Sequence, residues 1–280
     1  MARSGASPQL GANGVYGYRG SRLDLGRPRR RLELPTGEVT VFVALDQQIR
    51  IHDPARPEPR TFTSLINGAR SHASVGEHSG RLAGVEVLMA PWAAYRLFGV
   101  AMSELALGAL DLDEVIGRRA RVLAERLHDA HGWGECFAVL DAELTSLARV
   151  GRRPDPRLTG AWRDLVGAGG GMAIEDLADR TGWSRRHLDR RFHEQIGLSP
   201  KVLARVLRLR RAARLLTEGT APGAAAARTG FYDQAHLTGE FVRMTGLTPG
   251  RFLAERAGGA AGAEPVDRLE HEVTSVVLEA

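Results

Sequence analysis

Between Ile174 and Pro200 the chain gathers arginine, histidine and aspartate at a spacing that could read nucleic acid. Arg185, Arg186, Asp189, Arg190 and His193 crowd one side of a helix whose other side carries Leu188 and Phe192. Arginine can donate twice to the O6 and N7 of guanine, and aspartate can accept from the cytosine amine. A cationic, hydrogen-bonding face backed by an apolar one is what a helix needs to lie in a major groove. Taken alone, the pattern equally describes a basic solvated helix.

The surrounding residues must position that face. Ile174, Leu177 and Ala178 have the i, i+3, i+4 spacing of an apolar helix stripe. Gly182 supplies the positive φ of a sharp helix-ending turn. Ser184 is placed to cap the second helix through its hydroxyl. A second copy then removes most of the ambiguity. Thr181-Gly182 recurs 48 residues later as Thr229-Gly230, and Leu188, Phe192, Gly197 and Pro200 recur 49 residues later as Leu237, Phe241, Gly246 and Pro249. Ser184 maps onto Asp233, another good capping residue.

The segments WSRRHLDRRFHEQIGLSP and GFYDQAHLTGEFVRMTGLTPGRFL resemble the two halves of the DNA-binding domain of AraC/XylS-family transcriptional regulators. The resemblance covers about Leu158 to Ala254. It implies two helix-turn-helix units in one chain, held by a linker helix and reading one face of double-stranded DNA. Lys201 to Thr217 fits the linker, with Val202, Val206, Leu209, Ala213 and Leu216 repeating at four and three. The DNA-contacting set implied is Ser184, Arg185, Arg186, His187, Asp189 and Arg190 from the first unit. Lys201 and Arg205 follow at phosphates, and Tyr232, Asp233, Gln234, His236 and Thr238 come from the second unit. Gln234 can pair bidentately with adenine. Where the family usually repeats an arginine, matching Arg190, this chain has Gly239. The first opening helix starts at Ala173, without a capping side chain, and the second is nearly all alanine. The first unit is expected to carry most of the sequence reading.

Charge agrees with this division. The net charge of the 280 residues is +5, and Met172 to Arg256 holds 15 Lys and Arg against 9 Asp and Glu, a net of +6. Phosphate binding wants its positive field there. Lys201 is the only lysine, so arginine is the default cation and a single arginine carries little weight. The 43% hydrophobic and 25% charged content is that of a globular protein. There is no apolar run of membrane-spanning length and no signal-peptide order at the N-terminus. With Cys136 alone, no intrachain disulfide can form, which suits a reducing cytoplasm.

The fold class expected is α+β. A β-rich sensor domain, a partial barrel or cupin-like sheet with a helical hairpin, precedes an all-α domain of two helix-turn-helix units. Residues 1–14 are Gly/Ala/Ser-rich and expected to be disordered. Residues 15–148 show period-two alternation at Val39–Val43, Ile49–Ile51, Phe62–Ile66 and Val85–Met89. Pro54, Pro57 and Pro59, and likewise Gly76 and Gly80, mark loops. Helices are expected at Leu112–Ala130 and Glu135–Ala148, either packed on the sheet or forming a dimer seam. Residues 149–157 read as a linker, 158–256 as the DNA-binding domain with a flexible glycine joint at Gly167–Gly171, and 257–280 as a flexible tail with a short amphipathic piece from Val266 to Leu278. The stretch GVEVLMAPWAAYRLFGV resembles sensor halves within the same family.

Other chemistry is weaker. His52, His72 and His78 with Glu77 lack the His-x-His and following Glu of a metal-binding cupin, so neither a metal nor another cofactor is expected. Cys136 lacks the Pro-Cys-His-Arg context of an alkyl acceptor and reads as a buried, inert thiol. No paired carboxylates, phosphate loop or Ser/His/Asp set appears in the N-terminal half, and no enzyme is expected. A small-molecule effector, a second copy of the chain and RNA polymerase stay open as partners. The alternative to a sequence-specific regulator is an architectural DNA-binding protein. That would need deforming wedges or a continuous basic surface, whereas the base-facing positions here mix Arg, Asp, Gln and Thr.

Overall fold

The computed structural model describes residues 1–259 and 273–278. The N-terminal region opens with β1 (Ala2–Gly5), α1 (Pro8–Ala12), β2 (Val15–Asp24), β3 (Arg29–Glu33) and β4 (Val39–Ala44). It continues through β5 (Ile49–His52), β6 (Arg60–Phe62), β7 (Ser64–Asn67), β8 (Ser74–His78) and β9 (Arg81–Met89). Then come α2 (Pro91–Phe98), α3 (Met102–Leu105), β10 (Leu110–Asp111), α4 (Leu112–Ile116), α5 (Arg118–His128) and α6 (Trp133–Val150). The helical region comprises α7 (Pro156–Gly167), α8 (Ile174–Thr181), α9 (Arg185–Gln195), α10 (Pro200–Thr217), α11 (Pro222–Thr229), α12 (Gln234–Thr245) and α13 (Pro249–Gly259), and β11 (Ser275–Leu278) follows. Among the described residues no helix is long and apolar enough to cross a membrane.

The strands form two antiparallel sheets, ordered β1-β2-β9-β4-β7-β10 and β11-β3-β8-β5-β6, and not a closed barrel. Alternation assigns the faces. Val41 pairs with Val87 and Val43 with Val85, and Tyr18 opposite Val87 stacks on Phe137 of α6 at 5.8 Å, so this side of the first sheet carries the helical hairpin. The other side, with Thr40, Phe42 and Glu86, faces the second sheet across a narrow cavity. Leu123 and Leu127 of α5 and Leu140 and Leu144 of α6 are buried in the chain's own core. The apolar stripes weighed as a dimer seam are thus consumed within one copy. α5 turns Arg118, Arg121 and Arg126 outward instead.

Several sequence expectations need correction. Residues 1–14 are not disordered, because β1 pairs with β2, Leu10 is 1% exposed and the Ser7 N–H donates to Asp141 Oδ1 at 2.9 Å. Gly76 lies inside β8, while Gly80 does make a turn at φ +103°. The helix expected over Leu112–Ala130 breaks at Gly117, whose φ is +58° and ψ −139°. Only residues 151–155 remain non-helical in the expected linker. The glycine joint is a packed turn: Gly170 has φ +78°, and a Cβ there would fall 2.2 Å from the Ala204 carbonyl oxygen. The tail does not simply hang free, since Ser275–Leu278 pairs antiparallel with β3. The Gly/Ala spacer and most of the Val266–Leu278 piece lie outside the described residues.

The β-rich and helical regions share one continuous apolar core. Trp92 of α2 meets Trp162 of α7 edge to face at 6.4 Å. Arg210 of α10 is ion-paired with Glu38, both buried, and Glu38 also accepts from the Thr36 hydroxyl. Removing one partner of such a pair would leave a charge buried without compensation.

Candidate nucleic-acid interface

The first unit is α8, a turn and α9. Leu177 and Ala178 bury the inner face of α8, whose N-cap Ala173 offers no side-chain bond. Gly182 ends it at φ +68°. Ser184 Oγ accepts from the His187 N–H at 3.3 Å, satisfying one of the orphan donors at the start of α9. Leu188 and Phe192 are fully buried. The second unit, α11, turn and α12, repeats the construction. Gly230 has φ +76°, Asp233 Oδ1 accepts from the His236 N–H at 2.7 Å, and Leu237 and Phe241 are fully buried. Between the units, α10 is capped by Ser199, which accepts from the Val202 N–H at 3.3 Å. Its 18 residues span about 27 Å. Val206, Leu209, Ala213 and Leu216 are buried as the spacing predicted, and Val202 is half-buried.

The side chains of the expected DNA-contacting set separate into two kinds. Ser184, Arg185, Arg186, Asp189, Arg190 and Lys201 are exposed, as are Tyr232 (92%), Asp233 and Gln234, and Thr238 is half-buried. The Arg185–Glu175 pair at 2.6 Å is a solvent-exposed contact worth little, and a phosphate could replace it. Arg205 behaves differently. Its Nε donates to Glu240 Oε2 at 2.8 Å, and Glu240, buried, also pairs with Arg243. The residue expected at a phosphate therefore ties α10 to α12.

His187 and His236 also have inward engagements. The His187 ring lies 4.9 Å from Trp183, and the His236 ring 5.4 Å from Phe231, while His236 Nδ1 accepts from the Tyr232 N–H. Each unit thus closes its turn with an aromatic-histidine pair. A guanidinium covers each aromatic from the preceding helix, Arg157 over Trp183 at 5.9 Å and Arg208 over Phe231 at 5.6 Å. The sequence reading took His187 and His236 as DNA contacts and missed their aromatic partners and the covering arginines, although the two histidines stand at the same 49-residue offset as the core positions. The repeated threonines also gain a reason: buried Thr181 and Thr229 return their hydroxyls to the carbonyls of Ala178 and Ala225, at 2.8 and 2.7 Å.

The N-terminal region holds both recognition helices near their C-terminal ends. Tyr95 donates to Glu194 at 2.9 Å, and the Asp155 N–H to Gln195 Oε1 at 3.3 Å. Gly197, at φ +94°, packs where a Cβ would come 2.7 Å from the Met102 carbonyl oxygen. In the second unit the Ala73 N–H donates to the Met244 carbonyl at 2.7 Å. The capped N-terminal ends are left facing solvent, where backbone N–H groups and the helix dipole favour phosphate.

The other candidate residues sit apart. His72 Nε2 meets Asp53 at 2.8 Å and His52 Nε2 meets Glu77 at 2.9 Å. Among the described residues no group of three His, Cys, Asp or Glu stands close enough to hold a metal. Burial alone would raise the Asp53 carboxyl, but bonds from His72 and the Ala55 N–H hold it below the usual carboxylate range. Cys136 is buried, and that burial pushes its thiol pKa up.

Residues 177–255 match the family model described as a helix-turn-helix domain. Two curated relatives are HTH-type transcriptional regulators. An uncharacterized one, YbfI of Bacillus subtilis, is 42% identical over 66 residues, 24% of this chain and 24% of that protein. GlxA of Rhizobium meliloti is 42% identical over 94 residues, 31% of this chain and 28% of that protein. The chain thus spans about a quarter of the length of the relatives it matches. Among solved structures, ToxT of Vibrio cholerae aligns over 85% of this chain and 97% of its own, at 12% identity and a TM-score of 0.45. With its doubled, capped units on one linker helix, the stretch 177–255 belongs to the AraC type of helix-turn-helix domain.

Proposed function

We propose that the protein is a sequence-specific DNA-binding transcriptional regulator that reads the major groove with α9 and α12. The single observation that carries this is the pair of capped recognition helices whose N-terminal ends are solvent-facing while their C-terminal ends are docked. Arg186, Asp189 and Arg190 are assigned to base edges in the first unit and Gln234 and Thr238 in the second. Arg185 and Lys201 are assigned to phosphates, with Tyr232 and the caps Ser184 and Asp233 at the backbone. Residues 158–256 act as the DNA-reading body. The β-rich region before them receives a small-molecule effector.

The test uses the full chain. Duplexes retained from a random pool are sequenced, and the selected site competes against random duplex at rising salt. The selected site should stay bound at salt that releases random DNA, because phosphate contacts are screened and base contacts are much less so. Equal affinity for both across the whole range would overturn sequence-specific reading and leave the architectural alternative.

A further inference from the structure

The cavity between the sheets has a charge pattern that an empty β-sandwich does not need. Along β3, Arg29, Arg31 and Glu33 face it, while Arg30 turns out to Glu77 at 2.7 Å. Across the gap Arg19 is paired with Glu86, and Arg31 Nε donates to Glu33 at 2.5 Å. Glu77, at the rim, is engaged by Arg30 and His52. That leaves Arg29, half-buried, with no acceptor among the described residues. The apolar part of the wall comes from Leu23, Phe42, Ile49 and Leu82, beside polar Ser21, Thr40, Asn67 and Ser74. A cation left uncompensated beside apolar wall is costly unless something anionic completes it.

His78, opposite Arg29 in the β3–β8 register, adds a second group. Its Nδ1 accepts from the Gly80 N–H at 3.2 Å, so the neutral ring keeps Nε2–H as its remaining donor. Burial, and then the charges of Arg31 and Arg29, lower the His78 pKa to about 4, so the ring is neutral here. Size limits the occupant. The cavity is about 80 Å³. A water needs about 10–15 Å³ of such space, so the cavity has the bulk of an organic molecule of about six to ten non-hydrogen atoms.

We propose that this inter-sheet cavity is the binding site of a compact organic monoanion, a carboxylate on a small apolar body, with Arg29 as its charge partner. His78 donates the second hydrogen bond, and Leu23, Phe42, Ile49 and Leu82 take the apolar part. The proposal names the ligand class for the effector reading above and rests on that reading for its regulatory meaning. Binding at the cavity is measured without DNA, so failure here and failure of sequence-specific DNA binding are separate results.

Calorimetric titration of the full chain with benzoate and hexanoate, both of about the right size, should give saturable binding. Benzamide and hexanamide, which keep the shape and lose the charge, should bind about tenfold or more weakly, since a charge-assisted bond is lost. Hexadecanoate should not displace benzoate, being far longer than the cavity. Arg29→Gln should weaken benzoate by about tenfold or more, and Arg29→Lys should recover part of it. Unliganded Arg29→Gln should melt no lower than the parent protein, because Arg29 has no partner to lose among the described residues. Absence of binding by either acid, equal binding of acids and amides, or unchanged benzoate affinity in a normally folded Arg29→Gln protein would each overturn the proposal.

Discussion

The two helix-turn-helix units share a frame and differ on the face they show to solvent. Both end the first helix at a glycine in the left-handed region, cap the second with an oxygen side chain, bury a Leu and a Phe, and close the turn with an aromatic-histidine pair. Outward they diverge. The first displays Arg185, Arg186 and Arg190; the second displays Tyr232, Gln234 and Gly239. They differ inward as well, since the place of buried Leu177 is taken by Ala225, which leaves α11 little side-chain volume to pack. A repeated scaffold with unequal faces predicts that damage to the scaffold is symmetric, whereas damage to the reading face is not.

The largest effects test the symmetry. Phe192→Ala and Phe241→Ala should each cost about 3–5 kcal/mol of stability, because both remove a fully buried ring from a packed interior. Chemical denaturation of the two variants checks this, and tolerance of one but not the other would break the shared frame. Next comes the asymmetry. Arg190→Ala should cost about 1–3 kcal/mol in binding the selected site and relax preference at one base position under the first unit. A loss equal on every sequence would move Arg190 to the phosphate class. The caps return to symmetry at smaller scale. Ser184→Ala and Asp233→Ala should each lower stability by about 1 kcal/mol, measurable as similar downward shifts in melting temperature.

Gly239→Arg sharpens the comparison most finely. A Cβ at Gly239 meets nothing within 4 Å, so the substitution fits without displacement. It should stabilise α12 by up to about 1 kcal/mol through helix propensity and tighten binding through a restored cationic contact. If stability rises while a scan of the second half-site stays flat, the residue stands away from DNA.

Much of the helical region was legible because its signals are local. A cap, a glycine and two apolar residues lie within a dozen positions, and the repeat reads them twice. What escaped depends on partners far away in the chain. The pinning of residues 1–14 needs Asp141, 134 residues from Ser7. The diversion of Arg205 needs Glu240, and the burial of Arg210 needs Glu38, 172 residues away. Gly76 looked like a loop residue because glycine weakens strands in isolation. In β8 it sits opposite Arg31 with the Ile51 side chain above it. The cavity's arginine, without an acceptor among the described residues, was invisible for the same reason: Arg29, Arg30 and Arg31 are identical letters until a sheet assigns them opposite faces.

The return of β11 to β3 changes what kind of object the helical region is. Strand pairing makes Ser275–Leu278 part of the second sheet, and the Arg256 guanidinium donates to the Ser275 carbonyl at 2.8 Å. Topologically the DNA-reading body is then an insertion in the β-fold, tethered at both ends, rather than an appendage on a single hinge. A tryptic nick after exposed Arg152 would cut one tether and leave the other strand-paired. The halves should travel together through gel filtration after such a nick and separate only in denaturant.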